Sequence, residues 1–353
     1  MGKQNEKEEK NEKKIKIFIK TQSASSKACS WFCCYYSNNI GYYFKLWHVF
    51  VLNKKMSKNN LKFSFEFFPP KNKDAEESFW KNFKKLEIFN PNFVSVTFGA
   101  GGGEKNKTDG FVRKLNEKSR TLVAGHLTCV GMTKDEINNI AEGWLNIGVN
   151  KIVALRGDTR EPGKKYQPHP NGYKNAADMT KGLKQIGNFE IIVAGYPEKH
   201  PDSPNFEADI KNLKQKVDEG ADKIITQYFF EKDVFLRFRD RALSAGIKIP
   251  IIPGIIPIDD YERISKFSKN CGTTVPAWIK KEFESCKHIP EYYNFVSTKI
   301  TSNLVNDLRS EDIQEFHFYT LNKCNLSLIA CTRLMQGDYS LKEIKEVYES
   351  QIK

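Results

Sequence analysis

Residues 190–228 read EIIVAGYPEKHPDSPNFEADIKNLKQKVDEGADKIITQY, and this stretch decides the fold. It begins with one apolar run, EIIVAG at 190–195, and ends with a second, KIITQY at 223–228. Nearly continuous apolar runs of this length are typical of strands buried on both faces of a parallel sheet. Residues 206–219 between them follow a helical pattern, so the stretch predicts one strand–helix–strand unit.

The same alternation recurs on both sides of this unit. Eight strands are predicted, at Leu61–Phe68, Asn92–Phe98, Thr121–Leu127, Lys151–Arg156, Glu190–Gly195, Lys223–Tyr228, Pro250–Ile255 and Phe316–Leu321. Helical patterns separate them, and one begins with Thr133 and Glu136 in the spacing of a capping box. Eight strands that alternate strictly with helices predict an α/β fold, an eight-stranded (β/α)8 TIM barrel rather than an open sheet.

Polar or ionisable side chains stand at the same end of six successive predicted strands. They are Glu66, Thr97, His126, Arg156 followed by Gly157 and Asp158, Tyr196, and Gln227. The loops at the carboxyl end of such a barrel converge on one point, which is where catalytic residues lie. The sequence therefore predicts a catalytic site at that end.

Glu66 lies within FSFEFF, an otherwise apolar run. Burial penalises a charged carboxylate, so this position favours the protonated acid and predicts a proton donor. The alternative is a Glu66 paired with a buried Arg or His, and for His126 it is a hydrogen bond to the backbone. Because His126, His200 and His317 lack the spacing of a zinc site, we expect no metal.

The net charge of +13 is concentrated near the start of the chain. Residues 1–60 carry 12 Lys and 4 Glu, so eight of the excess positive charges lie there. We predict a basic and then aromatic-rich extension at 1–58, poorly ordered or non-catalytic, a barrel at 59–336 and a tail at 337–353. The acids of the basic tract argue against a transit peptide, and no apolar run predicts a membrane span.

The eight cysteines are scattered without the spacing of metal ligands or a disulfide scaffold. We therefore expect free thiols and a cytoplasmic protein. The run GAGGG at 99–103 lacks the Gly-Lys-Ser/Thr ending of a Walker loop, and no strand leads into a Gly-x-Gly-x-x-Gly turn. The nucleotide-binding fold of ordinary dehydrogenases is not indicated.

Nine segments, in order along the chain, carry a family resemblance. They are FSFEFFPPK (63–71), FVSVTFGAGGGE (93–104), HLTCVGMT (126–133), IVALRGD (152–158), VAGYPEKHP (193–201), DKIITQYFF (222–230), IPIIPGIIPI (249–258), VPAWI (275–279) and FHFYTLN (316–322). Their sequence, order and spacing closely resemble the methylenetetrahydrofolate reductase family, from about Leu61 to Leu334.

The resemblance implies an FAD-dependent barrel enzyme that reduces 5,10-methylenetetrahydrofolate to 5-methyltetrahydrofolate. NADH or NADPH first reduces the flavin, and the folate then accepts the hydride by a ping-pong mechanism. Glu66 matches the family's general acid, which protonates N10 and opens the ring to a 5-iminium cation. Asp158 matches the carboxylate that stabilises this cation. We also expect a homo-oligomer, with no nucleic acid and no membrane as partner.

The same resemblance implies two sets of binding residues. Positions that match flavin contacts are Thr97, His126, Leu155, Arg156, Gly157, Asp158, Ala176, Tyr196, His200, Asp209 and Lys216. Positions that match contacts to folate or nicotinamide are Glu66, Gln227, Phe267 and Lys323. Arg156, His200 and Lys216 supply donors suited to a diphosphate and ribose.

Three departures from the bacterial pattern limit what the resemblance implies. Asn175 stands before Ala176 where bacterial members have Tyr, so the flavin contact there comes from Tyr173, from backbone, or is absent. Arg263 replaces a frequent Gln and Lys323 an Arg, which leaves the choice between NADH and NADPH open. Only 19 residues follow Leu334, so we expect no downstream regulatory domain.

Two other functions stay open from the residues themselves. One is a different barrel enzyme, such as an aldolase or lyase that uses Glu66 and Lys323 on a phosphorylated substrate. The other is a protein whose basic extension binds nucleic acid or anionic lipid, with salt-sensitive binding. Flavin bound to the purified protein separates the first from a reductase, and deletion of residues 1–55 tests the second.

Overall fold

The computed structural model of the chain describes residues 61–98, 105–157, 166–286 and 289–336. The predicted extension at 1–58 and the tail at 337–353 lie outside these ranges. The described strands are β1 (Lys62–Phe67), β2 (Phe93–Val96), β3 (Val123–Thr128), β4 (Lys151–Leu155), β5 (Glu190–Gly195), β6 (Lys223–Thr226), β7 (Ile251–Ile252), β8 (Gly254–Ile255) and β9 (Glu315–Tyr319).

These strands form one parallel sheet in the order β7-β6-β5-β4-β3-β2-β1-β9-β8. Its two edge strands are separated along the chain only by Pro253. On one side of Pro253, Ile251 pairs with Ile224 of β6, and on the other Gly254 pairs with His317 of β9. The sheet therefore closes on itself, which confirms the predicted α/β barrel.

The predicted seventh strand is two short strands in the structure, because Pro253 has no N–H to donate to a neighbour. The carbonyl of Pro253 instead accepts from His317 N at 3.0 Å. Gly254 follows at a point where a Cβ would lie 2.1 Å from Thr226 O, so only glycine allows this approach of β8 to β6. The bend closes the barrel.

The described helices cover the outside of the sheet. They are α1 (Lys73–Glu87), α2 (Lys105–Lys118), α3 (Lys134–Leu145), α4 (Ala176–Ile186), α5 (Phe206–Asp218), α6 (Lys232–Ser244), α7 (Tyr261–Cys271), α8 (Ala277–Ser285), α9 (Pro290–Arg309) and α10 (Cys324–Gln336). The predicted capping box of α3 is present, with Thr133 accepting from Glu136 N and Glu136 from Thr133 N.

Inside the barrel, one apolar side chain from each of six strands forms a common layer: Phe93, Ala124, Val153, Ile192, Ile225 and Ile252. Successive side chains of a strand point to opposite faces, so the residues two positions away also point inward. Toward the amino end, these are Lys151, Glu190 and Lys223. Toward the carboxyl end they include Ser95, His126 and Leu155. The fold thus places charged residues below the layer and the predicted site above it.

The charged residues at the amino end are paired with one another. Lys151 and Lys223 both contact the Glu190 carboxylate, the second at 3.2 Å. Lys223 also lies 3.9 Å from Glu315, which accepts a hydrogen bond from Asn92 at 2.9 Å. Burial alone raises the pKa of Glu190, but the two ammonium groups outweigh it, and that pKa lies below its ordinary value. This end of the barrel is sealed by ion pairs.

Candidate active site

Glu66 lies near the carboxyl end of β1, in register with Ser95 of β2 and Tyr319 of β9. Its side chain is 16% exposed. Oε2 of Glu66 lies 3.4 Å from Nε2 of His126 and 3.7 Å from Nε2 of His317. Three strands therefore bring two imidazoles to one carboxyl group, as the pairing alternative considered from the sequence requires.

His126 does not act as a cationic partner of Glu66 at neutral pH. Burial lowers the pKa of His126 to about 4, against the opposing effect of the Glu66 carboxylate. The ring is 5% exposed, and within the described part of the chain its Nε2 has no hydrogen-bond partner. His126 is therefore a neutral neighbour of the Glu66 carboxyl group rather than a charged partner.

His317 is a site residue that the sequence interpretation did not assign. It is fully buried on β9, with Nδ1 2.8 Å from Ser64 Oγ and its ring stacked on Phe93. Ser64 and Glu66 are both inward positions of β1, so His317 lies between them. The run FHFY offered the same signal as FSFEFF, a single ionisable residue among aromatic ones. The contact of His317 with Glu66 follows only from the pairing of β9 with β1.

Tyr319 closes the wall beside these groups. Its hydroxyl donates to Thr226 O at 2.7 Å, and its ring meets that of His317 edge to face at 5.2 Å between centroids. Burial, and then the Glu66 carboxylate, raise the pKa of Tyr319 well above its ordinary value. Tyr319 therefore stays a neutral donor.

Several predicted flavin positions lie at neighbouring strand ends. Thr97 is 5% exposed, and its Oγ1 has no hydrogen-bond partner among the described residues. Leu155 ends β4, and Gly157 beyond it has φ +85. A Cβ at Gly157 would lie 2.5 Å from Val130 Cγ1. The turn at 157 therefore requires glycine, and the orphaned hydroxyl of Thr97 is a buried polar group that a ligand could satisfy.

Positive groups gather beside β5. Arg156 Nη2 donates to Asp202 Oδ2 at 2.8 Å, and the Tyr196 and His200 rings meet with 4.6 Å between centroids. Burial, then Arg156, lower the pKa of His200. Lys216 Nζ donates to Ala194 O at 2.5 Å, and burial lowers the pKa of Lys216 to about 8. Burial therefore disfavours the charged forms of His200 and Lys216, a perturbation that is common where a site binds an anion.

Asp209 organises the loop between β5 and α5, which carries Tyr196 and His200. Its Oδ1 accepts from His200 N at 3.3 Å and from Ser203 Oγ at 2.7 Å. The side chain is buried, and its charge opposes the effect of burial on the Lys216 pKa. Asp209 is thus a support for His200 and Lys216 in the structure, rather than an exposed helix residue.

The predicted folate positions occupy the opposite side. Gln227 follows β6, and its Oε1 accepts from Tyr228 N at 3.0 Å. Phe267 on α7 is 43% exposed and stacks on Tyr228 at 6.1 Å. Lys323 lies 2.8 Å from Asp259, which also binds Arg263, so the two replaced positions share one carboxylate.

Tyr173 and Asn175 are both engaged within the protein. The Tyr173 hydroxyl donates to Asn138 Oδ1 at 2.7 Å, and Asn175 caps α4 by accepting from Asp178 N. Ala176 is the first residue of that helix. Asp158, predicted to be catalytic, lies outside the described residues. Among those described, no group of three or more His, Cys, Asp or Glu side chains is arranged to hold a metal ion.

The chain is similar in sequence to known proteins over most of its length. The family model described as methylenetetrahydrofolate reductase matches residues 51–335. The 5,10-methylenetetrahydrofolate reductases of Pectobacterium carotovorum and Escherichia coli are each 39% identical over 286 residues, which is 80% of this chain and 94% and 95% of theirs. None of the described helices is long and apolar enough to cross a membrane.

A solved structure shares the fold at low identity. It is an uncharacterized protein from Clostridium thermocellum that binds two copies of 5-methyl-5,6,7,8-tetrahydrofolic acid. It aligns with a TM-score of 0.53 and 14% identity, over 84% of this chain and 99% of that one. At that identity the likeness supports the barrel fold alone.

Proposed function

The chain belongs to the methylenetetrahydrofolate reductase family, and from this premise we propose that it reduces 5,10-methylenetetrahydrofolate with hydride from NADH or NADPH, carried by FAD. The observation that carries the proposal is the Glu66 carboxyl group between His126 and His317 at the carboxyl end of the barrel. A nearly enclosed carboxyl beside a neutral imidazole is suited to deliver a proton.

The residues on the opposite wall fit an FAD. Lys216, Arg156 and His200 are donors suited to the diphosphate, and Asp209 holds the loop that carries His200. Thr97 offers an unused hydroxyl, and Gly157 lets the turn after β4 pack against Val130, where a Cβ would clash. FAD, when bound, supplies a reversible hydride carrier that lets the two substrates react in alternation.

Glu66 would protonate N10 of the folate. Protonation turns N10 into a leaving group, and the five-membered ring then opens to the 5-iminium cation that accepts hydride. His126 stays neutral and does not compete for this proton. Asp158, outside the described residues, is proposed as the carboxylate that stabilises the cation.

Gln227 and Phe267 would position the folate. The Gln227 side chain lies at the end of β6 and accepts from Tyr228 N. The Phe267 ring on α7 stacks on the Tyr228 ring. The exposed face of Phe267 gives either substrate an aromatic surface to stack on. Lys323 and Arg263, joined through Asp259, present positive charge near this wall.

Anaerobic spectroscopy of the purified protein tests the proposal. We expect bound flavin whose visible absorption is bleached by NADH or NADPH and restored by 5,10-methylenetetrahydrofolate. Separate titrations with NADH and NADPH give the preferred donor. A protein that takes up no FAD, or whose reduced flavin is not reoxidised by the folate, would contradict the proposal.

A further inference from the structure

The loop between β5 and α5, residues 196–205, touches both sides of the site. Its cofactor side holds Tyr196 and His200, whose rings are in contact, and the backbone N of His200 donates to Asp209 of α5. Its other side holds Glu198 and Pro201, which face the end of α7. The loop is therefore placed to connect the proposed FAD wall with the helix that carries Phe267.

Glu198 makes the direct connection. Its two carboxylate oxygens lie 3.0 and 3.1 Å from the backbone N of Thr274, which donates to them. Gly272, which ends α7 with φ +71, packs close to Pro201: a Cβ there would lie 3.2 Å from Pro201 Cγ. A carboxylate acceptor makes this a strong bond for a single backbone N–H.

The segment that Glu198 holds leads to the folate wall. Thr273 Oγ1 donates to Tyr228 O at 3.2 Å, and the Tyr228 hydroxyl lies 3.0 Å from Ser268 Oγ on α7. Tyr228 in turn stacks on Phe267 and donates its N–H to the Gln227 side chain. A short series of hydrogen bonds and one ring contact thus connects Glu198 with Gln227 and Phe267.

The loop is held in an unfavourable backbone conformation. Lys199 has φ +78, which side chains other than glycine adopt at an energetic cost. Its Nζ donates to His200 O at 3.1 Å and to Ser203 O at 2.5 Å, and these bonds fix the turn. Strain of this kind persists where the surroundings impose one geometry, and here that geometry aims Glu198 at Thr274.

We propose that Glu198 is a positioning residue, which transmits the geometry of the cofactor-side loop to α7 and thereby sets the position of Phe267 for the folate. The inference rests on the proposed function, since it concerns the same site. Glu198 touches neither Glu66 nor Phe267. Its removal should therefore weaken folate binding more than it slows the chemical step.

The test compares Glu198→Ala with Glu198→Gln at saturating FAD. Glu198→Ala should raise the folate KM about tenfold with kcat changed less than about threefold. Glu198→Gln makes the same change of charge but keeps an acceptor for Thr274 N, so it should stay within about threefold of the wild-type KM. Glu207→Ala, an exposed glutamate on α5, is the control for the loss of a carboxylate.

A double-mutant cycle shows whether the effect passes through Phe267. Phe267→Leu should raise the folate KM by itself, and Glu198→Ala added to it should raise KM little further. Full additivity, or an unchanged KM in Glu198→Ala, would overturn the inference. FAD affinity, measured by fluorescence quenching, separates this effect from mere loss of cofactor.

A second variant keeps the test decisive if Glu198→Ala does not fold. Thr274→Pro removes the donated N–H from the other side. Thr274→Pro should reproduce the raised folate KM, while the KM of Glu198→Gln remains near that of the wild type. Equal KM values for Thr274→Pro and Glu198→Gln would count against the inference. Failure of the proposed function looks different, because the wild-type protein itself would then show no folate-driven reoxidation.

Discussion

The two ends of the barrel interior carry polar groups in opposite conditions. At the amino end, Lys151 and Lys223 are paired with Glu190, and Lys223 also lies 3.9 Å from Glu315. At the carboxyl end, the side-chain atoms Thr97 Oγ1, His126 Nε2 and His317 Nε2 have no hydrogen-bond partner among the described residues. Buried polar groups without partners are costly, so they are retained where a ligand can satisfy them.

The directions of the pKa shifts repeat this difference. At the amino end, the lysines overcome burial and keep the pKa of Glu190 below its ordinary value, which favours the charged form. At the carboxyl end, burial lowers the pKa of Lys216 to about 8 and that of His126 to about 4, which disfavours the charged forms. Charged forms are favoured at the amino end and disfavoured at the end where we propose the active site.

Among the substitutions considered, Lys216→Met should impair the proposed site at the carboxyl end most strongly. We expect FAD affinity to fall about 100-fold, because a charged hydrogen bond to the diphosphate is lost. In the wild-type protein, affinity should weaken as the pH rises above about 8, where Lys216 loses its proton. Equilibrium titration with FAD across the pH range measures both effects.

The same substitution should leave the apoprotein more stable at neutral pH. Between the folded pKa of about 8 and the ordinary 10.5, the unfolded chain binds more protons, so the wild-type apoprotein gains stability as the pH rises. Lys216→Met should abolish that gain. Lys211→Met, an exposed lysine of the same helix, is the control and should change neither property.

Ser64→Ala tests whether the contact of Ser64 with His317 supports the chemistry at the carboxyl end. Removal of the hydroxyl frees His317 Nδ1 and should slow folate-driven reoxidation of the flavin about fivefold to tenfold, with reduction by NADH or NADPH unchanged. Ser327→Ala is the matched control, since Ser327 is also buried and its Oγ has no partner among the described residues, but it lies on α10 outside the barrel. Similar slowing in both variants would remove the role of Ser64.

Glu190→Gln tests the amino end. We expect the free energy of unfolding to fall by about 1 kcal/mol, with kcat/KM changed less than about twofold. Because the folded pKa lies below the ordinary 4.5, the Glu190 contribution is complete above that pH and disappears as the pH falls through the folded value. Denaturation by urea at pH 7 and below pH 4 measures this, with the exposed Glu77→Gln as control.

Deletion of residues 1–55 should have the smallest effect on turnover. The proposed site is built from residues 64–323, so we expect kcat/KM to stay within about twofold of the full chain. Salt-sensitive binding to nucleic acid or anionic lipid, if the full chain shows it, should disappear with the deletion. A large loss of reductase turnover would place part of the function in that segment.

Local patterns in the sequence were sufficient to predict the barrel and to single out Glu66 and His126 at its carboxyl end. Buried parallel strands are short apolar runs, and the polar residues that end them, such as Glu66 and His126, are visible in isolation. The break at Pro253 was missed because IPIIPGII reads as one apolar run, and only pairing with β6 and β9 divides it.

Groups that depend on strand register could not be read from the sequence. Lys151, Glu190, Lys223 and Glu315 are ordinary charged residues until the barrel aligns their strands. The same holds for His317, which meets Glu66 only because β9 pairs with β1. The pairing of strands that are distant in sequence therefore determines both the ion pairs of the amino end and the contact of His317 with Glu66 at the carboxyl end.

The central claim, that the carboxyl end acts through the proton of Glu66, is tested most directly by rapid mixing of Glu66→Gln. The amide has nearly the same shape but no acidic proton to give. The account predicts that NADH or NADPH still reduces the flavin at close to the wild-type rate, while reoxidation by 5,10-methylenetetrahydrofolate falls by more than about 100-fold. Reoxidation at the wild-type rate would contradict it.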